Sequence, residues 1–176
     1  MIDFNIKEVP EVFGAKLISY RAFQDERGVI YSTFQTQLET KLQLNFTHDK
    51  FVSNEPNALR GLHGDYRTAK LVTCVSGKIT QVILDVRPTS PTYGNGFHIE
   101  IDQNALVSLF VPIGVANAFY SSASAVYHYK LAYPGEYADH DEQFTFHWQS
   151  PAVKTYWGPI NPILSQRDQN AGVFQK

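Results

Sequence analysis

Between Asn57 and Asp65 the chain reads Asn-Ala-Leu-Arg-Gly-Leu-His-Gly-Asp, which sets an imidazole (His63) and a guanidinium (Arg60) on one short apolar run. After a turn, Ala69-Lys-Leu-Val-Thr-Cys-Val75 carries the Lys70 ammonium inside an otherwise apolar strand. A charge there is unfavourable unless something pairs or uses it. In Val126-Tyr-His-Tyr-Lys-Leu131, strand alternation puts Tyr127 and Tyr129 on one face, from which a phenol can reach a cavity, and His128 and Lys130 on the other. Pro162-Ile-Leu-Ser-Gln-Arg-Asp168 leads an apolar pair into a polar turn that ends in a carboxylate.

Together His63, Asp168, Lys70, Arg60 and Tyr129 supply what proton abstraction beside a carbonyl requires. A neutral imidazole, with an ordinary pKa of about 6.5, is a suitable base near neutrality, and a carboxylate fixes its tautomer and stabilises the imidazolium that forms. Cationic donors stabilise an enolate oxygen in a site short of water. A phenol on the opposite side of the substrate returns a proton to the other face and so inverts the carbon. Taken singly, each residue has a plainer reading: a packed imidazole, sheet aromatics, a helix cap or a surface carboxylate. Arg60 and His63 lie three apart, so a regular strand points them to opposite faces; one pocket can use both only if Gly61 permits a bulge or twist.

Several elements must position these groups. The chain has 176 residues, 43% of them hydrophobic and 14% aromatic, which fits one strand-rich domain with a proper core and argues against disorder. Strands are expected at Lys16–Tyr20, from Val29 to Phe34 after an Asp25-Glu-Arg-Gly28 turn, and from Phe46 to Ser53. In the last of these, Phe46, His48 and Lys50 share a face. A helix is expected between Thr36 and Leu44. Ser76-Gly77 signals a hairpin between the Lys70 strand and Lys78–Val86, and Phe97–Ile101 and Leu106–Val111 form a second pair. Residues 1 to 14 suggest an extended arm that could pair with another chain, and past Pro134 the pattern loosens into a tail folded over the strands. With no βαβ alternation, the architecture is all-β: an antiparallel jelly roll with a few short helices, forming a single domain over residues 1–176.

Net charge is −2 and no Lys/Arg run stands out, which excludes the footprint of a nucleic-acid or anionic-membrane binder. The single Cys74, the lack of a leader-like segment and the lack of an apolar run near 18 residues imply a cytoplasmic protein that does not span a membrane.

Five motifs, Arg60-Gly-Leu-His63, Ala69-Lys-Leu-Val72, Ser90-Pro-Thr-Tyr93, Tyr129-Lys130 and Pro162-Ile-Leu-Ser-Gln-Arg-Asp168, resemble in order those of the dTDP-4-dehydrorhamnose 3,5-epimerase family. The resemblance covers nearly the whole chain. It implies a cupin-type jelly roll, a homodimer that exchanges N-terminal strands, and a nucleotide-sugar substrate with no cofactor. It matches His63 and Asp168 to the family's base dyad, Tyr129 to its acid, and Lys70 and Arg60 to its enolate-stabilising cations. Arg27, in the Asp-Glu-Arg-Gly turn, falls where the family contacts the nucleotide. No metal is expected, because His63 is followed by Gly64-Asp65 instead of the second His two positions on that metal-holding relatives of the fold carry.

The chain departs from the family at positions that imply a changed substrate pocket. Gly64-Asp65 replaces an aromatic and a Gln, His48-Asp49-Lys50 replaces Gln-Asp-Asn, and Asn117 replaces a His; the second pocket tyrosine is Tyr137 or Tyr133. His48, Lys50, Asp65, Asn117 and Tyr137 are therefore expected to contact substrate. His-Gly-Asp and Ala-Val-Tyr-x-Tyr-Lys-Leu-Ala-Tyr-x-Gly-Glu-Tyr resemble the sub-branch acting on GDP-4-keto-6-deoxy-heptose in capsule synthesis. Two other readings stay open: a sugar 3,4-ketoisomerase on the same fold, which typically has a second His where Asp65 stands, and a jelly roll that binds nucleotide sugars without turnover.

Overall fold

The strand pattern resolves into two facing antiparallel sheets in a computed structural model that describes residues 4–136 and 142–176. In chain order the elements are β1 (Phe4–Glu8), β2 (Lys16–Tyr20), β3 (Ala22–Asp25), β4 (Gly28–Tyr31), α1 (Thr36–Leu42), β5 (His48–Asn54), β6 (Ala58–Gly64) and β7 (Ala69–Ser76). They continue with β8 (Lys78–Asp85), β9 (Gly96–Asp102), β10 (Val107–Val111), β11 (Val115–Ser121), β12 (Ala125–Ala132), β13 (Phe144–Thr145), a 3-10 turn (Lys154–Tyr156) and α2 (Gln166–Gln169). One sheet runs β1-β2-β10-β7-β12-β5 and the other β13-β6-β11-β8-β9, while β3 and β4 form a separate ribbon. This is the jelly roll expected from the sequence.

Two expected pairings are corrected. Ser76-Gly77 does not make a hairpin, because β7 and β8 lie in different sheets; the same holds for β9 and β10. Gly77, at φ +78°, turns the chain from one layer to the other, and a Cβ there would come within 2.6 Å of the Ser124 carbonyl. Period-two patterning reports which face of a strand is buried, but not which neighbour it pairs with. At the N-terminus, β1 pairs with β2 of its own chain, Phe4 opposite Tyr20.

The core lies between the layers, where Val72, Leu109 and Tyr127 meet Ile83, Ile101 and Phe119. Both outer faces are covered as well. Leu38 of α1 packs on Ile18 and Leu71, and Val153, Trp157 and Phe174 pack on Leu59, Leu62 and Leu84. The expected tail is therefore a third layer, and β11 is buried along its whole length. Among the described residues, no helix is long and apolar enough to cross a membrane.

Candidate active site

The site begins with an irregularity in β6. Its neighbour β11 sets Asn117 opposite His63 and Phe119 opposite Arg60, so three steps on β6 face two on β11. That extra residue is a β-bulge, and it rotates Arg60 and His63 onto a common hollow. Gly61 permits it: φ is +118°, and a Cβ would lie 2.5 Å from both Ala118 Cβ and the Asn117 carbonyl oxygen. The hollow, of about 590 Å³, is lined by Arg60, His63, Tyr129, Arg167 and Asp168 among others.

His63 Nε2 meets Asp168 Oδ1 at 2.5 Å across 105 residues of sequence. Asp168 reaches it because Ser165 caps α2, its hydroxyl accepting from the Asp168 amide at 3.2 Å. The carboxyl group is only 2% exposed. Burial pushes its pKa up, but the His63 hydrogen bond and charge, the Ser165 side chain and the Gly61 amide outweigh this and hold it below the usual carboxylate range. An ionised carboxylate can only accept, so Nε2 is the donor of this pair, and in the neutral form of the ring the lone pair is the one on Nδ1.

A second, smaller hollow of about 160 Å³ shares His63 and Tyr129 with the first and is completed by Lys50, Lys70, Asn117, Leu131 and Gln143. Lys70 is buried and donates to the His63 carbonyl at 3.2 Å. Burial lowers its pKa to about 8, countered by the Asp65 charge and reinforced by Arg167 and Lys50. Tyr129 is set by an aromatic stack: it meets Tyr127 edge-on at 4.6 Å, and Tyr127 lies flat on Phe119 at 3.9 Å. As the alternation implied, Tyr127 and Tyr129 point inward, while His128 and Lys130 bind Asp49 on the outer side at 2.9 and 2.8 Å.

The structure thus gathers His63, Asp168, Tyr129, Lys70, Arg60, Lys50 and Asn117 around two connected hollows. Among the described residues, it does not bring in Arg27, His48 or Asp65. Arg27 sits at the exposed tip of the β3–β4 ribbon, bound to Asp25 and lining a separate hollow with Phe23, Val29 and Ile30. His48 is exposed, with its ring 6.4 Å from Tyr133. Asp65 is buried, and its Oδ1 accepts from the Arg67 and Thr68 amides at 2.8 and 2.6 Å. Tyr137 lies outside the described residues.

Sequence reasoning missed Asn54, Gln81, Gln143 and Arg167. Asn54 Oδ1 accepts from Arg60 Nε at 2.8 Å and anchors one edge of the guanidinium. Gln81, fully buried, accepts from the Tyr127 hydroxyl at 2.6 Å and donates to Asn117 Oδ1 at 2.8 Å, fixing that amide. Only Arg167 had a local signal, its position beside Asp168 on the capped turn.

This geometry has counterparts among known proteins. The family described as dTDP-4-dehydrorhamnose 3,5-epimerase matches residues 10–176. The enzyme of that name from Sinorhizobium fredii is 32% identical over 163 residues, covering 88% of this chain and 82% of the relative. That from Shigella flexneri is 28% identical over 174 residues, covering 95% and 93%. A dTDP-6-deoxy-D-glucose-3,5-epimerase from Legionella pneumophila, solved in complex with dTDP-4-keto-L-rhamnose, superposes with a TM-score of 0.87 at 29% identity, covering 97% of this chain and 92% of the other. The chain belongs to the dTDP-4-dehydrorhamnose 3,5-epimerase family and is a nucleotide-sugar epimerase.

Proposed function

We propose that the protein inverts C3, C5 or both of a nucleotide-linked 4-keto-6-deoxy sugar without a cofactor. The observation that carries this reading is the His63–Asp168 pair bordering the same wide hollow as Tyr129. His63 Nδ1 takes the proton from the carbon beside the ketone, and the C–H electron pair moves into a C–C double bond as the C4 carbonyl becomes an enolate oxygen. Lys70 and Arg60 supply positive charge on the two sides of that carbon. The enolate then collapses and takes a proton from Tyr129 on the opposite face; the phenolate and the imidazolium return to their starting states by exchange with water. Arg167 gives the wider hollow a further cation suited to a diphosphate, with Arg27 contributing from the ribbon across a homodimer.

The departures at His48–Lys50, Asp65 and Asn117, together with the motifs shared with the heptose sub-branch, favour a GDP-linked 4-keto-6-deoxy-heptose made in the cytoplasm for capsule or other surface polysaccharide. Mixing the protein with candidate GDP- and dTDP-linked 4-keto sugars in deuterated water tests the reading. Deuterium is expected at each inverted carbon with the carbonyl left at C4. A carbonyl moved to C3 would identify a ketoisomerase, and absence of label with every sugar would leave a binding protein.

A further inference from the structure

Two buried carboxylates, Asp168 on α2 and Asp65 in the turn after β6, are not equally explained. Asp168 is paired with His63, but Asp65, 4% exposed, accepts through Oδ1; among the described residues its buried Oδ2 has no hydrogen-bond partner, and nor does the neighbouring Thr68 hydroxyl. Leaving an acceptor unbonded in the interior is unfavourable, so a compensating interaction is expected. The turn that holds Asp65 joins β6 to β7, and Lys70 is the second residue of β7, reaching back across that turn to the His63 carbonyl. We propose that Asp65 is a positioning residue whose orphaned oxygen acts as the buried counter-charge keeping the Lys70 ammonium protonated for the developing C4 oxyanion.

The other groups facing Lys70 make such a counter-charge necessary. His63 on β6, Lys50 on β5 and Tyr129 on β12 line the same small hollow, and Arg167 on α2 lines the adjoining one. Lys50 and Arg167 oppose a third positive charge, and burial opposes any charge; beside the His63 carbonyl that Lys70 bonds, the Asp65 charge favours the ammonium. Without it, a lysine held near pH 8 would lose its proton within the working range and could no longer stabilise an oxyanion. The inference rests on the epimerase reading for the role of Lys70, while the charge linkage itself can be tested without any substrate.

Asp65→Asn keeps an oxygen for the two turn amides and removes only the charge. In protein carrying isotope-labelled lysine, with Lys70 assigned by its disappearance in Lys70→Arg, NMR titration should show the Lys70 midpoint falling by about one pH unit or more in Asp65→Asn. An unchanged midpoint overturns the proposal. If Asn is not tolerated, Asp65→Ser, which also caps both amides, provides the same comparison. In kinetics, the loss in kcat/KM should grow with pH, roughly tenfold larger at about pH 9 than at about pH 6.5. In a Lys70→Arg background that pH dependence should vanish, since arginine keeps its charge; a dependence that persists there places the effect elsewhere and overturns the proposal. A shifted midpoint with no solvent exchange on any sugar would uphold the linkage and reject the epimerase reading.

Discussion

Asp85 and Asp168 are both buried carboxylates, both held below the usual carboxylate range, and their partners differ in kind. Asp85 is saturated. Its oxygens accept from Arg87 Nε at 2.8 Å, Arg87 Nη2 at 2.7 Å, Ser90 Oγ at 2.5 Å and Thr92 Oγ1 at 2.6 Å, while Arg87 also grips the Phe13 carbonyl at 2.7 Å. Every lone pair is spent on tying a loop and the N-terminal segment to β8. Asp168 instead bonds a titratable ring that opens onto a hollow. A carboxylate enclosed by fixed donors acts as a strut; in the proposed reaction, one whose donor can change protonation state takes part in proton transfer.

Removing the charge at each site should separate the two roles. Asp168→Asn is expected to lower solvent-proton exchange into substrate by about 10³-fold or more, because an amide no longer holds the productive imidazole tautomer, with little change in melting temperature. Exchange within tenfold of the unmodified protein would show that His63 works without it. Gly61→Ala strikes the backbone on which the dyad depends: a Cβ 2.5 Å from the β11 backbone and a strained φ should cost about 3 kcal/mol or more and abolish activity together. A melting curve and an exchange assay on the same sample check that the two losses coincide.

Asp85→Asn should do the reverse, destabilising by about 3 kcal/mol in a denaturant titration while the folded fraction keeps its turnover. The acid limb of stability sharpens this. Burial opposes the Asp85 charge, but hydrogen bonds from Arg87, Ser90 and Thr92 prevail and bring its pKa from 3.8 to about 2. The unfolded chain therefore takes up the proton first as pH falls. About 2 kcal/mol of stability should be fully present above about pH 4 and lost as the pH drops through about 2, and Asp85→Asn should abolish that part of the slope. Smallest is Ser165→Ala, which removes the α2 cap; about 1 kcal/mol of stability should go, with a modest fall in kcat as the Asp168 carboxylate loses its tether. If kcat does not move, Gly61 and His63 hold the carboxylate unaided.

Much of the architecture was legible because alternation of apolar and polar residues is a local property. β2, α1 and β12 lie close to where their patterns put them, and the shared inward face of Tyr127 and Tyr129 follows from period two alone. β3 was missed: Ala22–Asp25 is short and half-exposed, so no buried face printed a pattern on it. Partner choice between strands was not legible, as the corners at Gly77 and after Asp102 show. At the site, the Gly between Arg60 and His63 announced the bulge that both residues needed. The supporting residues Asn54 and Gln81 gave no such notice, since a buried amide inside a strand looks like any other polar residue until its partners from distant strands are in place.

The distance in sequence between His63 and Asp168 carries its own consequence. A ribosome completes the imidazole strand long before it makes the helix that answers it, and that helix belongs to the segment whose Trp157 and Phe174 seal the outside of β6 and its neighbours. The stretch that covers β6 is thus the stretch that delivers the carboxylate to His63, so in the proposed mechanism the dyad is complete only after the last layer of the fold has docked.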